Sequence, residues 1–213
     1  MTGARQQSGL RIYESTLRSA VARLVADHPL LAAVVDRYGL PPLWRRPPGF
    51  ATLVLFILEQ QVSLASARTA FDRLQAVIGE VHPDRFLTLS AAELRAVGFS
   101  RQKAGYATGL AAGLADGSIT LPADGVDEDE ARQALLAIRG VGPWTADCYL
   151  LFVLGRSDVW PTGDRALQVA MRTVLELPAV PTATEADEIA EVWRPWRAVA
   201  ARILWHDYLS REA

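Results

Sequence analysis

Asp164 is the residue best placed to do chemistry. It follows Pro161-Thr162-Gly163 and opens a predicted helix. A carboxylate there reads in two ways. It is an ordinary N-cap, a position Asp favours, or a fixed anion beside a centre that gains positive charge during a reaction. A helix N-terminus attracts negative charge, so the second role suits a stabiliser or a base better than a general acid. Upstream stands Arg139-Gly140-Val141-Gly142-Pro143-Trp144-Thr145-Ala146. Before it, Ala131, Ala134, Leu135 and Ile138 fall on one helical face, and Arg139-Gly140 is a stop signal. Gly142 permits a left-handed backbone in the turn, and Pro143 suits the first position of the next helix. The result is helix, tight turn, helix, with unpaired N–H groups that can hold a phosphate without any side-chain charge.

The elements that must position these residues are helical almost throughout. The pattern predicts helices over Ser15–Ala26, Pro29–Tyr38, Phe50–Glu59, Ser63–Val77, Pro83–Leu89, Ala91–Val97 and Arg101–Leu114. Further helices are predicted over Glu128–Ile138, Pro143–Leu154, Asp164–Leu175, Glu185–Glu191 and Pro195–Ser210. Pro41-Pro42 and Pro47-Pro48-Gly49 form a rigid connector around Trp44, and Asp116–Asp127 is a loop. No alternating strand pattern and no internal repeat is present. The expected fold is all-α: one compact domain over residues 1–213, made of two helical lobes, with the hairpin and Asp164 facing the cleft between them.

Composition excludes several classes. With 213 residues, 50% of them hydrophobic, the chain can bury a sizeable core. No apolar run reaches the roughly 18 residues that a membrane crossing needs. The N-terminus carries Arg5 and Arg11 but no apolar signal core, so a cytoplasmic location is expected. Cys148 is the single cysteine, which excludes an internal disulfide and a four-cysteine iron–sulfur cluster. His28, His82 and His206 lack ligand spacing, and no catalytic zinc is expected. The net charge of −2 weighs against nucleic-acid binding, but the acids cluster at Asp124–Glu130 and Glu185–Glu191, leaving the rest of the surface free to be basic.

Gly140-Val141-Gly142-Pro143-Trp144-Thr145-Ala146 together with Asp164 resembles the helix-hairpin-helix DNA glycosylase superfamily, and within it the 3-methyladenine DNA glycosylase II branch. Leu58-Glu59-Gln60-Gln61-Val62-Ser63, Gly98-Phe99-Ser100-Arg101-Gln102-Lys103-Ala104 and Trp193-Arg194-Pro195-Trp196-Arg197 match that branch in the same order. The matches span the chain from Gly49 to Tyr208. Relatives in the branch often carry an N-terminal β-sheet domain; the residues before Gly49 are too few for it and show no strand pattern, so a compact version is expected.

The resemblance implies a monofunctional glycosylase of base excision repair that flips alkylated purines out of double-stranded DNA. Asp164 would stabilise the cationic sugar as the C1′–N bond breaks and would orient or deprotonate water. Bifunctional members place a nucleophilic lysine where Trp144 stands; the only lysine here is Lys103, outside the hairpin, so no strand cleavage is expected. Trp144 and Trp205 match pocket aromatics suited to a cationic base. Cys148 replaces a tyrosine expected four residues after Trp144, with Tyr149 beside it. Gln61, paired with Gln60, matches the wedge that fills the gap left by the flipped base; the other reading is a polar pair capping helix ends. Amides of Gly140 and Gly142 would hold phosphate, with Thr145 assisting. Arg101, Lys103 and Arg165 read either as further backbone contacts or as a solvated face. Carbonyls of Leu136, Ile138 and Val141 would hold a structural Na+ or K+, with no catalytic cofactor. Trp196 is expected in the core. The resemblance further implies a nucleoid-associated monomer. Two rival readings stay open: a non-catalytic helix-hairpin-helix DNA-binding module, and a glycosylase for oxidised or deaminated bases. Replacing Asp164 by Asn discriminates the first.

Overall fold

The computed structural model describes residues 10–212; Arg5 lies outside them. The chain runs α1 (Glu14–Asp27), α2 (Pro29–Tyr38), α3 (Phe50–Glu59), α4 (Leu64–Ile78), α5 (Pro83–Phe86), α6 (Ala91–Val97) and α7 (Arg101–Ala115). It continues through α8 (Glu128–Leu136), α9 (Pro143–Phe152), α10 (Arg165–Val174), α11 (Ala183–Ala190), a 3-10 turn (Glu191–Trp193) and α12 (Arg197–Glu212). The all-α expectation holds. Among the described residues the extended pairing is a single bridge, Arg11 to Arg156. None of the helices is long and apolar enough to cross a membrane.

The chain divides into two compact units, residues 1–45 with 147–213 and residues 46–146. In the first, α12 is central. Ala198, Val199, Ala200, Ala201, Ile203 and Leu204 are inaccessible to solvent, and the run of small side chains lets α1, α2 and α10 pack closely. In the second, α3 is apolar nearly all round, as a fully buried helix must be, and α4 and α7 pack on it. Burying a side chain such as Phe56 or Ile57 contributes about 1.5–3 kcal/mol, so this packing rather than helix propensity sustains a helix of ten residues.

Several boundaries differ from expectation for local reasons. Helix α5 stops at Phe86 because Thr88 and Leu89 turn back three residues, to Arg85 and Phe86, in place of the α-helical four. Helix α12 starts at Arg197 rather than Pro195. Trp196, expected in the core, is not buried there; Trp193 is. Trp193 is buried against Trp160, with ring centroids 5.5 Å apart, whereas Trp196 is half-exposed at the turn into α12. The turn is held by Arg197, whose guanidinium donates to Asp158 at 3.0 Å and to Glu191 at 2.8 Å.

Candidate functional site

The hairpin belongs to the second unit. Asp127 caps α8 by accepting the amides of Asp129 and Glu130, and the helix ends at Leu136. The positive backbone angle falls on Gly140 (φ +91°), and Gly142, which the sequence allowed to take it, stays outside the left-handed region. Gly140 directly follows the closing turn of a helix, where a left-handed glycine releases the chain. Gly142 precedes Pro143, whose ring pushes the preceding residue toward extended geometry. The two glycines also differ in surroundings. A Cβ on Gly140 would lie 2.3 Å from Cγ of Tyr106, whereas one on Gly142 would meet nothing within 4 Å. Gly140 is thus needed for packing, and Gly142 leaves open space before the first amides of α9.

Gln60 does not stand out as a wedge. Its side-chain amide donates to the Gly140 carbonyl at 2.9 Å and to the Thr145 hydroxyl at 3.0 Å, tying the end of α3 to both arms of the hairpin. Thr145 is 1% exposed, so its hydroxyl serves this internal bond rather than facing a ligand in solvent. Gln61 is the exposed member of the pair. It holds a left-handed backbone (φ +58°), an uncommon conformation for a side-chain-bearing residue, and is followed by exposed Val62 and Leu64. Lys103 turns inward to the same break. Its ammonium donates to the carbonyls of Leu58 and Gln60, each at 2.7 Å, satisfying the C-terminal end of α3; partial burial lowers its pKa. Arg101 is exposed. Trp144, in the first turn of α9, is half-exposed and meets Phe56 edge-on at 6.5 Å.

Asp164 belongs to the first unit and is the N-cap of α10. Its Oδ1 accepts the Leu167 amide at 2.9 Å and the indole N–H of Trp205 at 3.2 Å. The capping reading holds, and the carboxylate is anchored twice, by one bond to its own helix and by the other to α12. Trp205 is 8% exposed and stacks on Phe152, with centroids 5.2 Å apart and planes at 24°. Cys148 and Tyr149 are buried in the core of this unit and present no surface to solvent. Arg165, next to Asp164, is exposed.

Two participants escaped the sequence reading. Phe152 lies one helical turn beyond Cys148, a spacing that could have marked it. Arg202, in the apolar run Ala198–Trp205, is completely buried, and its guanidinium donates to the carbonyls of Leu43 (3.2 Å), Ala198 (3.0 Å) and Leu151 (3.0 Å). It lies 5.7 Å from the centre of the Phe152 ring. Burial, with the nearby Arg45 charge as a lesser cause, pushes its pKa down to about 9. A lone charge inside an apolar helix is its sequence signal. Its function is to join the Trp44 connector, α9 and α12 behind the Phe152–Trp205 stack.

Residues 54–195 match the family described as HhH-GPD superfamily base excision DNA repair protein. A Mycobacterium tuberculosis protein named "Probable bifunctional transcriptional activator/DNA repair enzyme AlkA" is 35% identical over 87% of this chain, which spans 39% of that protein's length. DNA-3-methyladenine glycosylase 1 of Schizosaccharomyces pombe is 27% identical over 82% of this chain and 79% of its own. Among solved structures, the DNA-3-methyladenine glycosidase of Bacillus halodurans superposes with a TM-score of 0.72 at 27% identity, covering 92% of this chain and 93% of the other.

Proposed function

Because the chain belongs to the HhH-GPD superfamily of base excision DNA repair proteins, we propose that it is a monofunctional DNA glycosylase that removes alkylated purines from duplex DNA. The observation that carries the chemistry is Asp164, whose Oδ1 is fixed by the Leu167 amide and the Trp205 indole. As the C1′–N bond breaks, its electron pair leaves with the base and the deoxyribose becomes cationic. A carboxylate already held in place stabilises that charge without reorganising. Water then bonds to C1′ and gives up a proton, which Asp164 is suited to accept. A purine methylated at N3 or N7 is itself cationic, so it departs readily and stacks well on indole, the side chain that Trp144 and Trp205 supply. The names of the S. pombe and B. halodurans relatives support the alkylpurine assignment.

The absence of lyase chemistry is argued from Trp144 and Lys103. The chain's single lysine donates to two carbonyls at the end of α3, away from any sugar-directed role, and water is left as the nucleophile. DNA is held through main-chain N–H groups of the Gly140–Pro143 turn, with Gln61 entering the gap left by the flipped base. Leu136, Ile138 and Val141 fit a structural Na+ or K+. Their carbonyls lie where α8 ends and helical acceptors run out, and Ile138, which accepts the Val141 amide, retains a second lone pair. Such an ion would add positive charge beside the phosphate. The enzyme would work as a monomer on the nucleoid.

Incubation with methylated duplex DNA tests the proposal. Free methylpurine is expected, with strand breaks appearing only after alkali. Breaks without alkali overturn the monofunctional assignment, and binding without release of any base leaves a DNA-binding module.

A further inference from the structure

We propose that Arg101 and Arg139 form a second anion site, which holds a DNA phosphodiester beyond the one taken by the hairpin amides; this rests on the DNA-binding part of the proposed function. The two arginines are 38 positions apart by number, and Gly140 brings them together. Without a Cβ on Gly140, the Tyr106 side chain packs directly against the hairpin, and Arg139 lines the same depression as the first turns of α7. There, Arg101, Gln102, Gly105, Tyr106 and Arg139 line an open depression of about 400 Å³. Two of these side chains are tied together, the Gln102 amide donating to the Tyr106 hydroxyl at 2.7 Å.

The electrostatics favour an anion. Both arginines are exposed, and neither is paired with a carboxylate among the described residues. Arg101 occupies the first position of α7, where the helix already presents positive charge, so its own charge is unfavourable there until an anion arrives. A chain with a net charge of −2 thus keeps two unneutralised guanidinium groups on one small surface. Guanidinium forks match the oxygens of a phosphodiester, which they bind in a bidentate manner. Arg139 adjoins the turn whose amides face the first phosphate, which favours DNA over a free small anion. The depression is also open to solvent rather than enclosed, unlike a pocket for a nucleobase.

The test uses the full chain and compares wild type with Arg101→Gln, Arg139→Gln and the double variant. Affinity for an undamaged duplex is measured over a range of chloride concentrations, with far-UV circular dichroism confirming the fold. Each lost phosphate contact is expected to make the plot of log K against log salt shallower by about 1, so the double variant should lose about 2, uniformly across DNA sequences. Wild-type slopes in the variants overturn the site while leaving the DNA reading intact. A wild-type protein that binds no duplex removes the DNA reading itself, and this site with it. Inorganic phosphate at constant ionic strength, followed through the arginine side-chain Nε–H resonances, separates the two sources of anion. Saturable shifts with phosphate together with an unchanged DNA slope assign the site to a small anion and overturn the proposal.

Discussion

The hairpin in the second unit and the carboxylate in the first reach local order by opposite means. Around Gly140–Pro143 the proposed ligand groups are main-chain amides, and the sequence leaves side chains out beside them. Gly142 carries no Cβ in open space, and Pro143 carries no amide to satisfy. Around Asp164 the useful group is a side chain, and it is fixed by adding others. The Leu167 amide and the Trp205 indole hold the oxygen, Phe152 stacks on Trp205, and Arg202 joins the segments behind them. A backbone site tolerates little added bulk, whereas a side-chain site depends on distant residues staying where they are.

That contrast breaks most visibly at Asp164. Asp164→Asn keeps a competent cap and an acceptor for the indole but removes the charge, so base release should fall on the order of 10²–10³-fold. Stability should change by no more than about 1 kcal/mol. Single-turnover excision and thermal melts read the two effects, and wild-type release from the variant would end the proposed chemistry. Arg202→Ala should act mainly on stability, costing about 3–5 kcal/mol, since it leaves a cavity and removes the guanidinium donor from three carbonyls, two of them in buried bonds. Urea denaturation measures that cost, and the quenching of Trp205 fluorescence should change with it if the stack shifts.

The two glycines sharpen the comparison within the hairpin. Gly140→Ala combines a left-handed backbone with a clash against Tyr106 and should destabilise by about 2–4 kcal/mol. Gly142→Ala should leave stability within about 1 kcal/mol while weakening duplex binding, because its methyl group enters the space from which a phosphate approaches. Equal melting temperatures for the two variants would remove the distinction between packing glycine and ligand-facing glycine. The smallest effect is expected at the wedge. Gln61→Gly relieves the left-handed strain and should stabilise by up to about 1 kcal/mol. It should also slow excision from paired duplex more than from a mismatched site, where flipping is already easy.

The sequence made the hairpin legible because glycine and proline act through their own backbones, whatever surrounds them. It also marked α2, α3 and α6 to the residue, since each combines strong periodicity or burial with a clear stop. It did not distinguish Gly140 from Gly142, because only the approach of Tyr106 from α7 separates them. It left Gln60 between a wedge and a helix cap and Lys103 between DNA and solvent, whereas Gln60 donates to the hairpin and Lys103 satisfies the carbonyls at the end of α3. Those partners lie 80–85 residues away for Gln60 and 43–45 for Lys103, far outside any local window.

Sequence by itself determined an all-helical chain, a tight glycine turn before Pro143, and an acid at the head of α10. Tertiary structure alone decided that Trp205 would steady that acid, that Phe152 would stack on Trp205, and that a buried guanidinium would fasten three segments behind them. The physical reason is range. Backbone preference and helix periodicity act over a few neighbouring residues, but a buried polar group must find its partner wherever the fold delivers one, and no local pattern records where that is.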